Sequence, residues 1–465
     1  MKRRLSSPTG NSITEGVIWR QLLIFFFPIL LGTFFQQMYN TADAIIVGNV
    51  LSKQALAAVG GSTGTLINLI VGFFVGLSSG ATVIISQYFG AQNHRDVSRT
   101  VHTAMAMAVS FGIFLTVIGE ILSPMMLTWM DTQPDVMPEA LSYIRVYFLG
   151  MVPSLVYNIG SGILRAIGDS RRPLFFLIAA CLTNIVLDIV LVKFLGMGVA
   201  GAALATILSQ LISAVLVLMV LLRSSQSYQL HIRKIRFHGD LMQKVIRIGL
   251  PAGLQSVMYS ISNVLIQRTI NGFESTDIVA AWTAWGKLDG LEWMILNAFS
   301  ISITTFVGQN FGARQYARVK KSVHICLSMA AGATVLISGF FLLVGEYALG
   351  LFTPEQSVIA EGVKILRILA PTYILYICVE IYAGALRGCG DSFIPTLLTL
   401  FGICVLRLIW LLYFIPQPQF HTLENTVLSY PITWAITSVL FIVYYFFSGW
   451  MKRCQQRAGH PLSNP

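Results

Sequence analysis

Long apolar runs broken by short polar gaps dominate this chain from end to end. Twelve of them reach the roughly 20 residues a helix needs to cross a hydrocarbon layer of about 30 Å. They are Glu15–Val47, Ala55–Phe89, Val97–Leu122, Ala140–Leu164, Pro173–Val192, Val199–Leu222, Leu241–Asn271, Val279–Phe311, Ala317–Val344, Gly362–Leu386, Phe393–Phe414 and Val427–Trp450. Membrane-spanning strands would alternate over about ten residues each, and these runs do not alternate. The pattern predicts an all-α, polytopic membrane protein of twelve transmembrane helices. Spans and short connections use up the 465 residues, leaving no room for a soluble domain of ordinary size.

Composition agrees. Charged residues make up 11% of the chain, against about 25% in soluble domains, and mean hydropathy is +0.72. The net charge of +11 would hint at nucleic acid on a soluble fold, but here the basic residues sit in the gaps between apolar runs, so the partner is the bilayer and no nucleic acid is expected. Six cysteines are too few for a disulfide scaffold, and none is expected to pair in a reducing cytosol.

Alternate connections carry most of the Lys and Arg: Lys2, Arg3 and Arg4; Arg95 and Arg99; Arg171 and Arg172; Arg233, Lys234 and Arg236; Arg314 and Arg318; Lys452 and Arg453. The intervening ones carry acids such as Asp131, Asp135, Glu274, Asp277 and Glu355. By the positive-inside rule both termini are cytoplasmic in a plasma (inner) membrane. The apolar stretch after the basic start is too long for a cleaved signal and is read as retained.

The chain also repeats itself. Gln87, Gly90, Val101 and His102 recur 222 residues later as Gln309, Gly312, Val323 and His324, and Leu164, Arg165, Gly168, Asp169, Ser170 and Pro173 recur as Leu386, Arg387, Gly390, Asp391, Ser392 and Pro395. Pro28 and Pro251 match at 223. Six spans per half is an even number, so the halves are parallel repeats, an arrangement that in transporters flanks a substrate path. The expected organisation is an N-terminal six-helix lobe (1–222), a basic linker (223–240) that anchors to anionic lipid, a C-terminal six-helix lobe (241–450) and a tail (451–465), with a cleft between the lobes.

Several polar residues lie where the bilayer disfavours them. A carboxylate at mid-span costs at least about 2.5–3.5 kcal/mol, which makes it a functional candidate by default. Asp43 lies on a helical stripe with Gln36, Tyr39 and Asn40. In the fifth span Asn184 and Asp188 are four residues apart and share a face, and the sixth span adds Thr206. Two carboxylates, an amide oxygen and a hydroxyl suit a hard cation such as Na⁺. They equally suit H⁺, because two neighbouring carboxylates in a low dielectric cannot both ionise cheaply. The alternative is that each acid is satisfied separately by its own hydrogen bonds. Pro28 removes a backbone bond four turns before Asp43 and marks a hinge or a static kink.

In the second half Asp289 and Glu292 are three residues apart near Trp282, Trp285 and Trp293. The acids are candidates for a cationic substrate, the tryptophans for an interfacial belt, and Lys287 for a local partner of Asp289. Glu380 has no evident basic neighbour on its own helix and is the best second-half candidate for binding. Asn158 in the fourth span completes the substrate-binding set of Gln36, Tyr39, Asp289, Glu292 and Glu380. The duplicated Arg-x-x-Gly-Asp-Ser reads as a helix end followed by a tight turn, and the glycines Gly60 to Gly80 as close helix packing. No enzyme signature or cofactor motif occurs.

The segments YNTADAIIVG, QYFGAQNHRDVSRT and LRAIGDSRRP, with their echoes GQNFGARQYARVKKS and LRGCGDSFIP, resemble the multidrug and toxic compound extrusion (MATE) family, most closely its DNA-damage-inducible branch. The resemblance covers essentially the whole chain. It implies two six-helix lobes around a V-shaped cleft and export of cationic amphipathic compounds against inward H⁺ or Na⁺. By motif it makes Asp43, Asn184, Asp188 and Thr206 the cation-coupling set and Pro28 the point where the first helix bends. The seventh span lacks the acid found in other branches, though Glu380 matches a tenth-span acid. A monomer is expected. The rivals are a lipid-linked glycan flippase, which would need a cationic cavity for which Arg268, Lys287 and Arg407 are the few buried candidates, and a membrane-embedded enzyme or receptor.

Overall fold

The computed structural model describes residues 13–130 and 132–459. Lys2, Arg3, Arg4 and Asp131 of the charge pattern lie outside the described residues. Everything regular in the described residues is helical. Ten helices are long and apolar enough to span a bilayer, and a pair bent by 50°, Met137–Leu149 with Met151–Ala166, makes an eleventh. A further 33-residue helix, Gly239–Asn271, is less apolar because it carries Lys244, Arg247, Arg268 and a run of Gln, Ser and Asn positions.

Two of the apolar runs are broken where glycine permits it. The run Ala55–Phe89 divides into α2 (Lys53–Gly60) and α3 (Ser62–Gly90), since Gly61 sits so close to the Ala57 carbonyl that a Cβ would lie 2.6 Å from it. The run Ala140–Leu164 bends at Gly150, between α5 (Met137–Leu149) and α6 (Met151–Ala166), where Ile207 leaves no space for a side chain. Uninterrupted helices include α1 (Ile18–Val50), α4 (His94–Trp129), α8 (Gly198–Arg223), α9 (Gly239–Asn271), α10 (Thr276–Gly312) and α11 (Tyr316–Gly350). Helix α7 (Arg171–Asp188) runs into a π-helical turn, Ile189–Phe194. In the second half α12 (Gln356–Leu369) joins α13 (Tyr373–Gly388) through a 3₁₀ turn at Pro371. Next come α14 (Phe393–Thr399), a π turn, α15 (Leu406–Ile409) and a second π turn, Trp410–Phe414, followed by α16 (Leu423–Phe447) and α17 (Trp450–Arg457).

Apolar side chains gather into one large cluster in each half. The second-half cluster also takes Leu22, Phe25, Phe26 and Ile29 from the start of α1, with Phe26 stacked on Phe299 at 4.1 Å. The first-half cluster likewise takes Val245 and Ile248 from the start of α9, while Ile266 and Ile270, further along α9, belong to the second. Thus α9 begins in the first-half core and finishes in the second, α1 begins in the second-half core and finishes at Val47 in a small separate cluster of the first half, and Pro28 and Pro251 lie near the crossings. Elsewhere large apolar side chains face outward at helical spacing, as in Leu336, Phe340, Leu343 and Tyr347 of α11, which suits acyl chains rather than water.

The repeat in the sequence is a repeat in three dimensions. Gln87 donates from Nε2 to the Gly388 carbonyl at 2.8 Å, and Gln309, 222 residues on, donates to the Ala166 carbonyl at 2.6 Å. Gly90 rests against the Gln309 backbone and Gly312 against that of Gln87, too close in both cases for a Cβ. Each half therefore caps a helix end of the other with the same residue, as a two-fold relation requires. The Arg-x-x-Gly-Asp-Ser turns repeat too: Gly168 and Gly390 take φ of +98° and +88°, and the Asp169 and Asp391 amides return to the Leu164 and Leu386 carbonyls at 2.9 Å, as a glycine-terminated helix end does.

The connections that alternate as basic in the sequence meet on one face of the molecule. Arg318 donates to the Gly16 and Glu15 carbonyls, Arg99 pairs with Asp240 at 3.1 Å, and Arg457 pairs with Asp391 at 3.2 Å.

Candidate functional site

Helix α1 carries Tyr39, Asp43 and Val47 on the face turned toward the first half, and α7 packs against it. Asp188 is the last residue of α7, one turn after Asn184 and immediately before the π turn. Such turns recur at functional sites because the extra residue redirects side chains. Asn184 and Asp188 are fully buried and Asp43 is 6% exposed. The carboxyl groups of Asp43 and Asp188 meet within hydrogen-bonding reach, yet Asp43 Oδ1, both Asp188 oxygens and both amide atoms of Asn184 have no donor or acceptor partner in the protein. The protein itself places no donor between the two carboxyl groups. In a low-dielectric interior a shared proton or a cation stabilises that arrangement.

Tyr39 lies one turn earlier, its hydroxyl accepting from Gln210 Nε2 of α8 at 3.3 Å. Tyr143 of α5 shares a small apolar cluster with Val47. Gln210 and Tyr143 were not singled out from the sequence; lone polar and aromatic residues inside apolar runs carry no periodic signal. Thr206 is buried on α8 beside α7, but its hydroxyl bonds none of the three. Gln36 is exposed, and the Asn158 amide is spent on the Ser154 carbonyl of its own helix at 2.9 Å.

The second-half acids are arranged differently. Asp289 Oδ1 accepts from Tyr373 at 2.5 Å and Oδ2 from Trp293 at 2.9 Å. Glu292 does not join it: fully buried, it accepts from Thr334 of α11 at 2.6 Å. Glu380 accepts from Tyr376 at 3.1 Å and, contrary to the expectation that it lacks a basic neighbour, pairs with Arg387 two turns along its own helix at 3.7 Å. Tyr376 in turn shares a hydrogen bond with Tyr259 at 2.9 Å.

The tryptophans do not form an interfacial belt. Trp282 and Trp285 are buried, 4.4 Å apart, and pack on Tyr430, because the interior of the second half supplies aromatic neighbours. Lys287 and Arg268 are exposed, and Lys287 makes no ion pair with Asp289. Of the three basic residues expected inside, only Arg407 is buried. It borders a 330 Å³ cavity with Asp289, Trp293, Trp434, Tyr259 and Asn263. Among the described residues no three His, Cys, Asp or Glu side chains cluster as metal ligands, and all six cysteines are free thiols.

Comparison with known proteins matches this architecture half by half. The MatE family model fits the chain twice, at residues 28–190 and 251–412, beginning at the two crossing prolines. A probable multidrug resistance protein, YoeA, of Bacillus subtilis is 27% identical over 446 residues, covering 94% of this chain and 95% of its own. A probable multidrug resistance protein, NorM, of Thermotoga maritima is 24% identical, covering 84% of each chain. A solved MATE structure described as the bent conformation superposes with a TM-score of 0.88 at 20% identity, covering 97% of this chain and all of that one. An outward-facing multidrug resistance transporter gives 0.88 at 21%, covering 97% and 99%. With the family model matched in both halves over most of its length, the chain belongs to the MATE family.

Proposed function

We propose that this protein is a multidrug efflux antiporter of the plasma membrane that exports cationic amphipathic compounds in exchange for inward H⁺ or Na⁺. Relatives bearing multidrug resistance names support export. The observation that carries the coupling is the pair Asp43 and Asp188, from two packed helices, with buried oxygens that nothing in the protein satisfies.

A single shared proton satisfies the pair. Asn184 Oδ1, also free, supplies the further oxygen that favours Na⁺ as a second reading, with Thr206 near enough in the fold to join after a small shift of α8. Binding of either ion removes the repulsion between the carboxylates and draws the far half of α1 toward α7. Because the near half of α1 is held in the second-half core through Phe25 and Phe26, the movement concentrates at Pro28, where one backbone hydrogen bond is already missing. In this reading Gly239–Asn271 is the twelfth span. The two six-helix lobes flank a central cleft, both termini are cytoplasmic, the tail follows residue 450, and one copy suffices. Gln36 and Tyr39, on the same stripe as Asp43, and Asn158 face substrate as it passes, and Asp289, Glu292 and Glu380 form the second-half wall.

Purified protein in liposomes tests the reading: ethidium should move only with an imposed ΔpH or Na⁺ gradient, and whichever gradient drives it identifies the ion. Gradient-sensitive transport unchanged in D43N and D188N would remove both residues from the mechanism.

A further inference from the structure

Arg407 is 2% exposed, and arginine stays charged in proteins. Its guanidinium lies 4.0 Å over the Tyr430 ring and donates from Nη2 to Thr433 at 3.1 Å. Its Nε has no partner, and among the described residues no carboxylate forms an ion pair with it. The residue occurs in α15, one turn of ordinary helix held between two π turns, a backbone irregularity that commonly accompanies function. A permanent cation in this setting is costly unless an anion meets it. Asp289 shares the cavity but already accepts from Tyr373 and Trp293. The cavity's 330 Å³ suits a small aromatic molecule, and Trp293, Trp434 and Tyr430 line it with ring faces.

We infer that this second-half cavity is a subsite for amphoteric aromatic substrates, in which Arg407 takes the substrate's carboxylate and Asp289 its cationic group. This rests on the reading of the chain as an exporter and narrows its substrate class: compounds bearing an acid beside their cationic centre are held better than permanent monocations. A planar guanidinium with free N–H groups is matched to a carboxylate, forming charge-assisted bonds roughly twice as strong as neutral ones. The surrounding rings hold the aromatic body by stacking.

The test is equilibrium binding, without any gradient, of two fluorescent probes to the purified full-length protein in nanodiscs: a rhodamine with a free benzoate and its methyl ester, which share one cationic ring system. The free acid should bind wild type about tenfold more tightly, the value of one good charged hydrogen-bond pair. R407Q should erase that preference by weakening the acid alone, and R407K should restore part of it. Equal binding of the two probes to wild type would overturn the inference, and that measurement needs no variant to fold. So would an equal loss of both probes in R407Q, which is what a purely structural arginine predicts. Displacement of the free acid by inorganic pyrophosphate as readily as by benzoate would also overturn it, in favour of a phosphate site. Failure of gradient-driven transport would count against the antiporter reading and leave this preference standing.

Discussion

In the first half, Asp43 and Asp188 reach one another from separate helices and bring no donor with them. In the second half Asp289 accepts from Tyr373 and Trp293, Glu380 accepts from Tyr376 with Arg387 beside it, and Glu292 accepts from Thr334 through one oxygen while its Oε2 has no partner in the protein. Yet the backbones of the halves correspond closely, down to reciprocal Gln87 and Gln309 bonds and matching positive φ angles. The frame that holds the halves together repeats, while the polar contents of the two halves differ. An unsatisfied carboxylate pair responds to the arrival of a small cation, since occupancy changes its energy greatly. A carboxylate already held by donors responds less to one, though its remaining lone pairs can still meet a larger organic cation.

The comparison predicts unequal effects for acids and equal effects for the frame. The largest is expected from D43N or D188N, each of which abolishes gradient-driven ethidium transport in liposomes, whereas E380Q lowers it only a few-fold; equal losses would show that both halves couple. Next, G90A and G312A should each destabilise by about 1–3 kcal/mol, the usual cost of forcing a methyl into a packed contact, read as matched drops in thermal melting in detergent. A large drop in one alone would break the two-fold account. Comparable in size, Q87L and Q309L should each cost about 1–3 kcal/mol for the buried carbonyl left unpaired, with the two losses similar. The smallest expected effect on stability is from P28A, which restores a regular helix yet slows transport, while P251A, on a helix with no acid beyond Asp240 in its first turn, leaves transport close to wild type. Equal transport losses would detach bending from the carboxylate pair.

Much of this was legible in the sequence, and the reasons differ by feature. Span positions followed from apolar length, because lipid imposes one thickness on every helix. The repeat was visible because glycine and glutamine are required wherever backbones of the two halves touch, so those letters recur at 222. Asp43 and Asp188 stood out because the membrane excludes charge. Less legible were the breaks at Gly61 and Gly150, since a glycine in an apolar run equally marks close packing. The burial of Trp282 and Trp285 was hidden as well: the same side chains serve an interface or a core, and only neighbours decide. Arg387 escaped notice as the partner of Glu380, because two helical turns separate them and the pairing depends on rotamers bent along the helix.

The sequence by itself therefore determined which stretches are helical, which enter lipid, that two equivalent halves exist and which charges are out of place. These are one-dimensional consequences of solvent, length and repetition. Tertiary structure alone decided which of those charges meet. It left Asp43 and Asp188 facing each other without a donor, gave Asp289, Glu292 and Glu380 at least one donor each, and buried Arg407 at the edge of an aromatic cavity. Such outcomes depend on the angles at which helices cross, and those angles are set by packing among residues far apart in the chain.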